Sequence, residues 1–106
     1  MGFVDNLAGL PPADPLARIE LAGPEGETAV IENRPGSQGS LRIYQHLAQK
    51  FAAIDAAAAT EGLALFAEHT ADARAHSGKH PNIDRLLAIQ ADGRSWSARL
   101  VPQAMP

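Results

Sequence analysis

The chain contains no cysteine, so disulfides, thiolate metal ligands and a cysteine nucleophile are excluded together. Aromatic residues are scarce: one Trp, one Tyr and three Phe, or 5% of 106 residues, too few for a surface on which single-stranded nucleic acid stacks. Positive charge is short as well. Nine Lys and Arg against twelve Asp and Glu leave a net charge of −3, without the excess that gives a general nucleic-acid binder its basic face. No apolar run approaches the roughly 18–20 residues that span a bilayer. The first ten residues carry Asp5 and neither Lys nor Arg, unlike a secretory signal, so the expected compartment is the cytoplasm, with neither membrane nor nucleic acid as partner. What is present in quantity is alanine. Hydrophobic residues make up 45% of the chain, but 21 of them are Ala, leaving 27 bulky apolar or aromatic side chains and a small core.

Along the chain, Phe3, Leu7 and Leu10 form a one-sided stripe on a short helix, which Pro11, Pro12 and Pro15 end. So short a segment is stable only when docked, on the body or on a second subunit. From Ala17 the period becomes two: Ile19 and Leu21 alternate with Arg18 and Glu20, a glycine-rich turn follows at 23–27, and 28–32 returns as the second strand. The loop 33–40 leads into a helix from Ser40 to about Ile54, with Leu41, Tyr44, Leu47, Phe51 and Ile54 on one face. Asp55 caps a second helix over 56–77, whose apolar face is Ala59, Leu63, Phe66, Ala67, Thr70 and Ala73. Residues 83–91 read as a strand, Asp92-Gly93 as a hairpin turn and 95–101 as the last strand. The expected fold is α+β over 1–106. Two β-hairpins, at about 17–32 and 83–101, form a four-stranded antiparallel sheet. A helix pair, at about 40–54 and 56–77, covers it, and residues 1–16 add a short helix and proline-rich arm.

Three phrases resemble a known family: Ile31-Glu32-Asn33-Arg34-Pro35-Gly36, the run from Glu61 to Thr70, and His80-Pro81-Asn82-Ile83-Asp84-Arg85-Leu86-Leu87. They are similar to those of short uncharacterised proteobacterial proteins of about this length, a domain of unknown function. The resemblance spans nearly the whole chain and implies a free-standing bacterial protein. It implies no activity, cofactor or catalytic residue.

Two constellations carry chemistry. His69, Asp72 and His76 follow one another at i, i+3 and i+7 on the second long helix, with His80 just beyond the break at Gly78. Imidazoles with a carboxylate are a donor set for zinc, iron or manganese, and an open position on such an ion activates water. The same residues, lying opposite the Leu63/Phe66 stripe, are also what an ordinary solvated face contains. Leu65 sits amid that face, which makes a homodimer contact there an expectation, two copies then supplying two metal ligands each. The second constellation is the loop of Arg34, Ser37, Gly39 and Ser40, where free amides at a helix start and an arginine suit an anion or phosphate. It lacks the lysine and glycine spacing of a phosphate-binding loop, and a plain strand-to-helix connection has the same composition. His80, Asp84 and Arg85 could form an acid–base group, although Asn82 and Asp84 are equally turn formers.

No Gly-x-Ser-x-Gly elbow, paired acids or nucleophile–base pair is present, and no catalytic residue is assigned. The first functional expectation is a non-enzymatic module that binds a protein partner or a small ligand, as a homodimer. The alternative is a divalent-metal protein using His69, Asp72, His76 and His80, with hydrolytic chemistry. The third is anion binding at the Arg34–Ser40 loop.

Overall fold

The computed structural model describes residues 2–104; Met1, Met105 and Pro106, the ends of the expected 1–106 unit, lie outside the described residues. The elements in chain order are α1 (Phe3–Ala8), β1 (Leu16–Ala22), β2 (Thr28–Glu32), α2 (Gln38–Phe51), β3 (Ala53–Ile54), α3 (Ala56–Phe66), α4 (Glu68–Ala75), α5 (Pro81–Asp92) and β4 (Trp96–Pro102). The class is α+β, with one four-stranded antiparallel sheet of order β2-β1-β4-β3. Among the described residues no helix is long and apolar enough to cross a membrane.

The first hairpin forms as its alternation requires. Ile19 stands opposite Ile31 on one side and Leu100 on the other, and Leu21 opposite Ala29 and Ala98, so every second residue faces the core. The opposite face is solvated, with Arg18 and Arg99 both paired to Glu20. Helix α2 lies across the inner face and touches all four strands, burying Leu41, Ile43, Tyr44 and Leu47. It begins at Gln38, not at Ser40, and Ser37 occupies the cap position without a side-chain cap bond.

The expected second hairpin does not exist. Residues 83–91 belong to α5, because Ile83, Leu86 and Ile89 recur every three residues and all three are buried on one helical stripe. Pro81 stands at the first helical position and Gly93 ends the helix in the left-handed region at φ 76°, its N–H bonded to Ile89 O. Asp92-Gly93 is therefore a helix stop rather than a hairpin turn. The fourth strand is the two-residue β3, where Ala53 and Ile54 pair with Ser97 and Trp96.

The expected helix 56–77 is two helices. Asp55 caps α3 as expected, its carboxylate accepting from Ala58 N at 2.8 Å. At Ala67 the backbone turns to φ 52°, and Ala67 N bonds back to Ala64 O instead of Leu63 O. The Leu63 carbonyl released by that turn accepts the buried Thr70 hydroxyl at 2.6 Å. Helix α3 packs chiefly on α5, where Gly62 lets the two approach: a Cβ there would lie 2.8 Å from both Leu47 Cδ1 and Leu86 Cδ1. The expected helix-pair cover is thus a set of three, α2 on the sheet with α3 and α5 against it.

Candidate functional site

The N-terminal helix docks on its own body. Glu68 Oε1 accepts from Phe3 N at 2.8 Å, which holds that carboxyl below its usual range. Asn6 donates to Leu65 O at 3.0 Å. Arg42 Nη2 donates to Leu7 O at 2.8 Å and Leu10 O at 2.7 Å, clasping the C-terminal end of α1. Phe3 and Leu7 are thereby half-buried against the core, and so is Leu65. The exposed large apolar residues among those described are Val4 and Val30, on α1 and β2.

The break at Ala67 decides where the histidines go. On an unbroken helix His69 would stand about 60° round the axis from Phe66, beside it on the helix surface. The turn re-aims α4 so that His69 meets Phe3 edge-on, ring centroids 4.6 Å apart, while Phe3 stacks on Phe66 at 5.9 Å. His80, at the start of α5, comes back to within 5.9 Å of the His69 ring. Asp72 stands behind this pair. Its Oδ2 accepts from His80 Nε2 at 2.6 Å and lies 3.1 Å from Lys79 Nζ, and its Oδ1 lies 3.3 Å from His76 Nδ1. The His80 bond first, and the Lys79 bond next, pull the Asp72 carboxyl down to about 2.

These groups border a cavity of about 790 Å³. Its apolar wall includes Phe3, Leu7, Phe66 and Ile83, and its polar wall includes Gln38, Arg42, His69, Lys79 and His80. The N-terminal end of α2 contributes Gly39 and Ser40. Gly39 is a close approach, since a Cβ there would lie 2.6 Å from Phe3 Cζ.

Of the residues with a metal-binding expectation, His69 and His80 therefore share the cavity, whereas Asp72 and His76 form an ion cluster outside its lining. Among the described residues no group of three or more His, Asp or Glu side chains is disposed to hold a metal ion. Of the anion-loop residues, Gly39 and Ser40 reach the cavity, but Arg34 and Ser37 do not. The Ser37 hydroxyl is spent on Glu32 O at 2.6 Å, and Arg34 is exposed. The expected acid–base group of His80, Asp84 and Arg85 does not assemble. Asp84 accepts from Gly78 N, and Arg85 lies between the Tyr44 and Trp96 rings, donating to Tyr44 Oη at 3.0 Å and Asn82 Oδ1 at 3.1 Å. The sequence reading missed Phe3, Phe66 and Lys79 as wall residues. The apolar stripe of α1 marked Phe3 as docked but not where.

Fold and site define an α+β protein with an amphipathic cavity at the junction of α1, α2, α4 and α5. Residues 3–100 match the family described as "Uncharacterized protein conserved in bacteria (DUF2322)", and the chain belongs to it. No curated protein and no solved structure matches the chain.

Proposed function

We propose that the protein is a non-enzymatic binding module whose ligand is a small molecule held in the cavity between α1, the start of α2 and the α4–α5 turn. The observation that carries this reading is the cavity itself. At about 790 Å³ it has the size of a metabolite site, and it joins a flat apolar wall of Phe3 and Phe66 to convergent polar groups at His69, Lys79 and His80. The reading is favoured over a protein-docking face because Phe3, Leu7 and Leu65, the apolar residues free to make such a face, are turned onto the chain's own core. It is favoured over a divalent-metal centre because Asp72, the carboxylate of that donor set, is occupied by His80, His76 and Lys79. Among the described residues the Ser40 hydroxyl on the cavity wall has no hydrogen bond to a histidine or carboxylate that would activate it, and binding rather than turnover is the activity we assign.

The test is a thermal-shift screen of metabolites on the full chain beside Gln38→Trp. Gln38 is an exposed residue of the lining, and an indole there fills the mouth without disturbing the core. Ligands that raise the melting temperature of the parent and not of Gln38→Trp support the reading. A ligand that stabilises both equally binds elsewhere and overturns it.

A further inference from the structure

The cavity wall reverses the sign of the chain. The whole molecule carries −3, yet the permanent charges lining the cavity are Arg42 and Lys79 against Asp14 alone, with two imidazoles beside them. Arg42 is committed through Nε and Nη2 to the carbonyls of Pro11, Leu7 and Leu10, so it supplies field more than free donors. Lys79 and His80 are aimed from behind by Asp72, which offsets part of the Lys79 charge and limits the swing of both side chains. An ammonium has three donors and an imidazole two nitrogens, so each keeps hydrogen-bonding capacity beyond its bond to Asp72. His69 makes no side-chain hydrogen bond among the described residues; its ring is held by the edge contact with Phe3. These three groups stand beside an aromatic wall, Phe3 stacked on Phe66 with an interplanar angle of 11°.

We infer that the cavity takes a small organic anion, with its carboxylate or phosphate toward Lys79, His80 and His69 and an apolar or aromatic portion against Phe3 and Phe66. This rests on the cavity being the binding site and adds the chemical class of the ligand. A cation would face two permanent like charges against one carboxylate, and a purely apolar molecule would strip water from Lys79 and the imidazoles without replacing their hydrogen bonds.

The experiment titrates the full chain, followed by amide chemical shifts, with phenylacetate, phenyl phosphate, the neutral isostere phenylacetamide and inorganic phosphate. The acids are expected to shift the amides of Phe3, Gly39, Lys79 and His80 and to bind about tenfold or more tighter than the amide. Lys79→Gln and His80→Gln each reduce that preference several-fold, and their melting curves confirm folding. The tighter of the two acids identifies the headgroup. If phenylacetamide binds in the cavity as tightly as the acids, the anion class is overturned while the cavity reading stands. Inorganic phosphate binding as tightly as phenyl phosphate overturns the aromatic half. If no probe shifts the cavity amides, both the inference and the reading beneath it fall.

Discussion

Tyr44 is the only tyrosine in the chain and is completely buried, so one phenol can be titrated without interference from another. Its hydroxyl donates to Asn82 O at 2.6 Å and accepts from Arg85 Nη1 at 3.0 Å, tying α2 to the first turn of α5. That turn supplies Pro81, Asn82 and Ile83 to the cavity wall. Burial disfavours the phenolate and outweighs the opposing charge and hydrogen bond of Arg85, so the Tyr44 pKa is pushed up to about 12 from 10.0. With the folded value raised, the stabilisation is fully present below pH 10 and is lost as pH rises from 10 through about 12, where the unfolded chain has already released its proton. Two units correspond to about 3 kcal/mol, a substantial part of the roughly 5–15 kcal/mol expected of a domain. Phenolate absorbance of the folded protein reads the effect directly. At about pH 10.5 a phenol with the raised value is roughly 3% ionised, and an ordinary one is roughly three-quarters ionised. Tyr44→Phe should abolish the alkaline loss and cost about 1–3 kcal/mol at neutral pH, since Asn82 O and Arg85 lose a buried partner. Phenolate appearing at the ordinary pH while the circular dichroism remains native would refute the reasoning.

Three further outcomes follow from the same structure. Gly39→Ala places a Cβ against the Phe3 ring and should undock α1, costing about 1–3 kcal/mol in urea unfolding and exposing the proline-rich arm to protease. Asp72 has a depressed pKa, so its contribution is present above pH 4 and lost as pH falls toward about 2; Asp72→Asn should flatten acid unfolding in that window. Ala67 holds φ 52° and ψ −118°, a region costly to any residue with a Cβ, so Ala67→Gly should stabilise the protein by about 1 kcal/mol or leave it unchanged, measured by chemical denaturation.

The parts of the fold readable from sequence were those with a long, clean period. The alternation at Ile19 and Leu21 and the helical stripe of Leu41, Tyr44 and Leu47 each survive as β1 and α2. The segment 83–91 is only nine residues long and broken by Asp84, Arg85 and Gln90, so the recurrence of Ile83, Leu86 and Ile89 is its one helical mark within the run. The punctuation around it, Pro81 before and Gly93 after, was the better guide and marks a helix. Strand β3 has no local signature because it exists only through its pairing with Trp96 and Ser97. The turn at Ala67 is likewise silent, since nothing in an alanine announces a positive φ. That turn also explains the half-legible site. The i, i+3, i+7 spacing singled out His69, Asp72 and His76, and the break at Gly78 added His80, but a turn unseen in sequence sets His69 against Phe3 and leaves Asp72 behind the wall. The loop candidate divides for a similar reason: Gly39 and Ser40 enter the helix and meet the cavity, whereas Ser37 closes onto Glu32.

The claim that most needs testing is that this cavity is where the protein binds. Amide chemical-shift mapping of the full chain against a fragment library, repeated on Gln38→Trp, addresses it without knowledge of the natural ligand. If the cavity is the binding site, binding fragments shift Phe3, Gly39, Ser40, His69, Lys79 and Ile83 together, and the filled mouth of Gln38→Trp abolishes those shifts. Fragments that instead cluster around Arg85 and Trp96, or that bind the variant as well as the parent, would contradict it.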